Sequence, residues 1–223
     1  DEFRNHRGAH KESVLALQYF RKAGVLPYVN LCLRKELLQS DRIWEFYEFV
    51  RSLNAAFLVL LEPTPWGGYY HEDAESLFSD EDRKYVTEFF RKAGRDRRYE
   101  TYPLIFYGNY FEKPERLGCL MGGLSHFYID SLGHVRPCVF LPVTFGNIMK
   151  EDFSEIYARM RKAIPTPLHK QCPSLSLAAA IKKKESQGAV LPLAYKEIEE
   201  EWERMFAYDA RPTSIENSMA GLA

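Results

Sequence analysis

The amino-acid sequence predicts an α/β layer of parallel strands followed by a smaller α+β module containing a β-hairpin. Three observations lead there. Segments with helical spacing alternate with short apolar segments through the first half of the chain, the order that builds parallel sheets. The seven-residue apolar run Ala55 to Leu61 reads as a strand buried inside such a sheet. Past Gly118 the pattern changes to short alternating segments around turn residues, the mark of antiparallel pairing. With 223 residues, 46% of them apolar, there is enough material for one or two domains with real cores.

The elements follow in order. From His10 to Ala23 the apolar residues Val14, Leu15, Leu17 and Phe20 recur at helical spacing, and Gly24 stands where a helix ends. Val25 to Leu33 alternates Val25, Pro27, Val29, Leu31 and Leu33 with Tyr28, Asn30 and Cys32, which predicts a strand. Ser40 is placed to cap a helix carrying Ile43, Trp44, Tyr47, Val50 and Leu53. Ala55 to Leu61 then forms the second strand, closed by the loop Glu62-Pro63-Thr64-Pro65-Trp66-Gly67-Gly68. Ser79 and Asp82 make a capping box for a helix bearing Tyr85, Val86, Phe89 and Phe90 and ending at Gly94. Leu104 to Tyr107 offers a third strand. Phe127-Tyr128-Ile129 and Val135-Arg136-Pro137 flank the turn Asp130-Ser131-Leu132-Gly133-His134 as a hairpin. Helices are expected at Phe153 to Ile164, Leu175 to Glu185 and Tyr195 to Phe206, with a frayed polar tail after Tyr208.

Thirty basic residues against 31 acidic ones leave a net charge of -1, so the chain has no general electrostatic footprint for nucleic acid or an anionic membrane. Its longest apolar run, seven residues, falls far short of the ~20 that span a bilayer as a helix. Neither partner is expected. The charged start Asp1-Glu2-Phe3-Arg4 shows no initiator Met and no hydrophobic signal core, so the chain reads as processed or truncated. Runs such as Arg95-Asp96-Arg97-Arg98 and Lys182-Lys183-Lys184 read as solvated surface.

Four cysteines are too few for a disulfide-built scaffold and fit a reducing, cytoplasmic location. Cys119 follows Gly118, Cys138 ends the hairpin, and Cys172 precedes Pro173. Thiolates on a loop, a hairpin end and a pre-helical loop can meet around a soft metal centre. From spacing alone the commoner reading is three small buried hydrophobes, since free cysteine is so often interior. Zinc held by these three and one histidine, in a scaffold without catalysis, is a further alternative, although the usual short paired spacing is absent. Cys32, on the first strand, is assigned to core packing.

The run Gly118-Cys119, Gly122-Gly123, Phe127-Tyr128-Ile129-Asp130, Gly133-His134-Val135-Arg136-Pro137-Cys138 and Phe145-Gly146-Asn147-Ile148 resembles the C-terminal extension of radical S-adenosylmethionine enzymes, the SPASM or twitch domain. That pattern opens on a Cys, reaches a Gly and then a second Cys, and continues through a Gly-Asn-Ile step to further cysteines. Cys119, Gly133 and Cys138 match it, and Cys172 matches the next cysteine in order. The first half resembles the same superfamily: Asp1 to Ala23 is similar to the helix after the fourth strand, Val25 to Leu33 to the fifth strand and Ala55 to Pro63 to the sixth.

The resemblance implies the C-terminal part of a partial (β/α)6 TIM-like barrel over residues 1–115, a small SPASM/twitch-like domain over 116–175 and a helical extension over 176–223. It implies one auxiliary 4Fe-4S cluster on Cys119, Cys138 and Cys172, because Cys172-Pro173-Ser174-Leu175 lacks the Cys-x2-Cys continuation that serves a second. His169 is the nearest candidate for a fourth ligand. S-adenosylmethionine in the intact enzyme would border Asn30 and Leu60 or Glu62, and the N-terminal Arg4, His6, Arg7 and His10 could approach it. The substrate is an unspecified peptide or small molecule. The Cys-x3-Cys-x2-Cys loop that defines the superfamily occurs nowhere in the 223 residues, so the resemblance implies a separate N-terminal half as partner and no activity for this chain alone.

Overall fold

The computed structural model describes residues 1–113, 115–164 and 172–206. They fall into two compact units. One comprises Asp1–Pro63 with His71–Gly108; the other comprises Thr64–Tyr70 with the described residues from Asn109 onward. His169 and the tail after Tyr208 lie outside the described residues. Among the described residues, no helix is long and apolar enough to cross a membrane.

The first unit is a three-stranded parallel sheet in the order β1 (Tyr28–Cys32), β2 (Phe57–Leu61), β3 (Leu104–Tyr107). The register sets Leu31 beside Leu60 and Leu60 beside Tyr107. Helix α1 (Ala9–Lys22) precedes β1; α2 (Arg42–Ser52) links β1 to β2, and α3 (Asp80–Ala93) lies between β2 and β3. Strand alternation divides the sheet into two faces. Leu31, Leu58, Leu60 and Tyr107 are buried, as are Ile43, Tyr47 and Val50 of α2 and Val86, Phe89 and Ala93 of α3. The Tyr47 hydroxyl donates to the carbonyl of Pro103, 2.9 Å away, which fixes α2 at the entry to β3.

The other face is open. Tyr28, Asn30 and Cys32 on β1, Phe57 on β2, and Leu104 and Phe106 on β3 are all exposed. Two expectations are corrected by this. Ala55 to Leu61 is buried on one face rather than on both, because the described residues cover the sheet from one side. Cys32 is exposed and not a core residue, because its position in the alternation places it on the uncovered face.

The capping box forms as expected: Ser79 accepts from the Asp82 amide at 3.2 Å, and Asp82 accepts from the Ser79 amide at 2.8 Å. Ser40 does not cap α2. Both Ser40 and Asp41 adopt left-handed backbone, with φ of 53° and 59°, so the helix starts at Arg42 without a side-chain cap. The Asp41 carboxylate instead accepts from the Tyr85 hydroxyl on α3, 2.6 Å away.

In the second unit, β4 (Tyr128–Ile129) pairs antiparallel with β5 (His134–Arg136). After β6 (Val143–Thr144) the chain returns as β7 (Gly146–Asn147), antiparallel to β5 on its other side. Helices α4 (Phe153–Ala163), α5 (Pro173–Ser176) and α6 (Ala178–Ser186) follow, then β8 (Leu193–Ala194), parallel to β6, and α7 (Glu199–Phe206). The expected helix from Leu175 is thus two shorter pieces, and that from Tyr195 opens as a 3-10 turn over Tyr195–Glu197. Strand β8 went unforeseen, since a two-residue strand carries no periodic signal. Val135, Phe145, Ile156, Met160, Ile181, Leu193 and Trp202 are buried at the centre.

The hairpin turn is locked by polar contacts. Asp130 accepts from the amides of Leu132 at 2.9 Å and His134 at 3.0 Å, and the Asn147 side chain donates to the Leu132 carbonyl at 2.9 Å. Gly133 sits at φ 85°, where an added Cβ would lie 2.8 Å from Asn147 Oδ1 and 2.9 Å from Met149 Cγ. Gly133→Ala is expected to destabilise this unit by about 1–3 kcal/mol, through backbone strain and crowding together. Gly188→Ala, at φ 98° with open space around it, isolates the backbone contribution. Calorimetry of the two variants checks this: equal melting temperatures would show that the Asn147 contact does not matter.

Candidate metal centre

The segment Phe111–Gly118 folds back on itself: the Leu117 amide donates to the Phe111 carbonyl at 3.0 Å, and the Gly118 amide to the Lys113 carbonyl at 3.1 Å. Gly118 is buried at φ 71°, a left-handed conformation that glycine adopts without strain, and it delivers Cys119. The Gly122 amide donates to the Pro137 carbonyl at 3.0 Å, which ties the stretch after Cys119 to the residue before Cys138. Helix α4 is tied to the same stretch. Tyr157 donates to the Gly123 carbonyl at 3.0 Å and Arg161 to the Gly122 carbonyl at 3.2 Å. Beyond α4 and the residues outside the description, the chain resumes at Cys172, at the entry to α5.

Two of the three sulfurs have a hydrogen-bond partner two residues along the chain. The Phe140 amide donates to Cys138 Sγ at 3.5 Å. Cys172 Sγ lies 3.1 Å from the hydroxyl of Ser174, a residue 2% exposed. A donor aimed at sulfur, as the Phe140 amide is at Cys138, favours the thiolate over the thiol.

Burial works in the opposite direction. It pushes the Cys119 thiol well above the usual range, with Cys172, Glu112 and Cys138 adding to the rise. Burial likewise pushes Cys138 up to about 11; Cys172 and Glu112 raise it further, and Arg136 pulls it down. Among the described residues, no group of three or more Cys, His, Asp or Glu side chains is placed to hold a metal ion; binding of a metal by thiolates would displace the thiol protons.

The donor chemistry fits an iron-sulfur cluster: three soft sulfurs on separate loops, two of them partly buried against the apolar core. In the metal-free chain, Cys138 is expected to alkylate at neutral pH roughly a hundredfold more slowly than an unshifted thiol, from its thiolate fraction alone. Exposed Cys32 labels early, and an occupied site protects Cys119, Cys138 and Cys172 but not Cys32. Timed peptide mass spectrometry reads both. Equal rates at all four positions would contradict the site.

The residues proposed to border S-adenosylmethionine are placed differently from one another. Asn30 is exposed on the open sheet face. Leu60 is 1% exposed on the face where Leu31 and Tyr107 are also buried, so its side chain is not available to a ligand. Glu62 accepts from the Tyr107 hydroxyl at 2.5 Å and pairs with Arg83 at 3.1 Å, which commits its carboxylate within the protein. Arg4, His6, Arg7 and His10 are exposed at the start of the chain. Sequence reasoning did not single out Ser174. A serine two residues after a cysteine carries no motif.

Comparison with known proteins coincides with this geometry. Residues 119–174 match SPASM, an iron-sulfur cluster-binding domain, a span that opens at Cys119 and closes just past Cys172. The chain is 24% identical over 177 residues to an AdoMet-dependent heme synthase of Oleidesulfovibrio alaskensis, covering 71% of this chain and 45% of that protein. It is 26% identical over 175 residues to the AdoMet-dependent heme synthase of Methanosarcina barkeri, covering 70% and 49% respectively. For the protein of that name from Nitratidesulfovibrio vulgaris, the identity is 26% over 176 residues, covering 71% and 47%. The chain spans about half the length of these relatives.

Proposed function

We propose that this chain, which belongs to the radical S-adenosylmethionine enzymes carrying a SPASM domain, holds one auxiliary 4Fe-4S cluster on Cys119, Cys138 and Cys172 and helps to place a substrate for radical-based modification. The observation that supports the reading is the match of residues 119–174 to an iron-sulfur cluster-binding domain, a span that opens at Cys119, includes Cys138 and closes just past Cys172. Such a cluster supplies an electron relay or a Lewis-acidic iron. The chain's own part is to fix the sulfurs through Gly118, the Gly122–Pro137 hydrogen bond and α4.

In the same reading, the parallel sheet is the last part of a partial (β/α)6 barrel, completed by a preceding segment that carries the Cys-x3-Cys-x2-Cys loop and binds S-adenosylmethionine. The open sheet face with Asn30 then looks inward, toward cofactor and substrate. The protein works in a reducing cytoplasm, where its cysteines stay free. The heme synthase relatives make a tetrapyrrole the first substrate class to test with the longer protein.

Anaerobic reconstitution of the 223-residue chain with iron and sulfide tests the cluster. Near-stoichiometric iron and sulfide, with broad visible absorption from sulfur-to-iron charge transfer, are expected. A colourless protein that takes up a single zinc and no sulfide would replace this reading with the zinc-stabilised scaffold.

A further inference from the structure

The basic run Arg95-Asp96-Arg97-Arg98, read from the sequence as solvated surface, borders a concavity of about 370 Å³ in the first unit, between the end of α3 and the start of β3. We propose that this concavity binds a small aromatic anion of mononucleotide size, a ring system carrying one phosphate. The site is independent of the cluster. Tyr47, Tyr99, Tyr102 and Leu104 make its apolar walls, and Arg95 and Arg97 its basic side. Leu104 is the first residue of β3, so the concavity lies at the N-terminal end of the parallel strands, whereas Glu62 follows the C-terminal end of β2. Cofactor and substrate sites of parallel α/β sheets gather at the C-terminal ends, which makes this a separate, ancillary site.

The tyrosine hydroxyls are already used. Tyr47 donates to the Pro103 carbonyl at 2.9 Å and Tyr102 to the Glu48 carboxylate. The rings brace one another: Tyr99 lies edge-on to Tyr102 with centroids 5.1 Å apart and stacks on Trp44 at 4.9 Å. What the walls offer a ligand is therefore ring surface held in place beforehand, which suits an aromatic group and lowers the ordering cost of binding. The charges on the rim divide. Asp96 is taken up by Arg98, Nη2 to Oδ2 2.6 Å, whereas Arg95 and Arg97 have no carboxylate partner among the described residues. Two free guanidiniums against the one carboxylate of Glu100 leave the wall positive. A guanidinium fork matches phosphate oxygens, and the two stand two residues apart on one turn. The volume lies at the small end of the range for ligand pockets, enough for one nucleotide and not for a dinucleotide.

The test titrates adenosine 5′-monophosphate, adenosine and inorganic phosphate separately into the full 223-residue chain by calorimetry, with hydrogen exchange to locate the effect. The proteins are wild type, Arg95→Ala with Arg97→Ala, and Lys183→Ala as a control on an exposed lysine of the second unit. Both arginines are exposed, so the double variant keeps its fold, which circular dichroism checks. The wild type is expected to bind the nucleotide at millimolar concentration or below and to gain exchange protection over residues 94–104. The double variant is expected to bind at least about tenfold more weakly, and Lys183→Ala to match the wild type. Adenosine and phosphate alone are each expected to bind more weakly than the nucleotide. No nucleotide binding at millimolar concentration, binding that the double variant leaves intact, or protection confined to other residues would overturn the site. Phosphate binding as tightly as the nucleotide would overturn the role of the aromatic walls, and adenosine doing so would overturn that of the arginines. None of these results depends on whether the chain takes up a cluster.

Discussion

Cys138→Ala is expected to abolish most cluster binding, whereas Cys32→Ala leaves it at the wild-type level. Cys138 closes the hairpin strand β5 and is tied to the Cys119 loop through the Pro137–Gly122 hydrogen bond. Its sulfur interacts electrostatically with both other cysteines, and the Phe140 amide already points to it. With Cys138 gone, Cys119 and Cys172 remain on separate loops without the middle ligand. Two sulfurs are too few for a centre that prefers a full set of soft donors. The fold survives the change, because the hairpin is held by Asp130, Asn147 and the pairing of β5 with β7 rather than by a sulfur. Iron and sulfide assays after anaerobic desalting measure the outcome, and a Cys138→Ala chain that retains its full complement would remove Cys138 from the ligand set. Cys32 serves as the internal control because it is exposed on the sheet of the first unit and lies outside the span of the SPASM match.

The legible part of the fold was the part with a period. β1 and β2 alternate, α2 and α3 carry apolar residues at helical spacing, and their order requires parallel neighbours, which is the pairing found. Ser79 and Asp82 could be read because a capping box is a local code. Ser40 misled because the same code fails when the backbone turns left-handed at two successive residues, Ser40 and Asp41, the latter bonded to Tyr85 of another helix. Cys32 misled for a related reason. Strand alternation says that it lies opposite Leu31 but does not say which face is covered. The candidate cysteines were singled out through the resemblance in which Gly133 and Asn147 also stand, and the physical meaning of those two residues is the locked turn that sets β5 and hence Cys138. The contact of Ser174 with Cys172 was not legible, since a serine two residues after a cysteine carries no motif.

The isolated 223-residue chain, even with its cluster fully reconstituted, is expected to form no 5′-deoxyadenosine from S-adenosylmethionine. Reductive cleavage in the superfamily that this chain resembles requires an open iron on the Cys-x3-Cys-x2-Cys loop to chelate the amino and carboxylate groups of the cofactor. No such spacing occurs in the sequence. Cys119, Cys138 and Cys172 lack that spacing and lie within the match to an iron-sulfur cluster-binding SPASM domain. The sheet itself presents little to bind with. Leu60 is buried, Glu62 is committed to Tyr107 and Arg83, and Asn30 stands on an exposed surface beside Tyr28 and Cys32. Ligand sites gain affinity from concave enclosure, and a sheet open on one face over three strands supplies little. The difference is all or none rather than graded, since the radical chemistry lies with the cofactor and the protein contributes only by holding it. The assay is anaerobic incubation with dithionite and S-adenosylmethionine, followed by chromatography. Product above the no-protein control would make the three-cysteine centre the cleaving cluster itself, and its cysteines would then no longer be auxiliary.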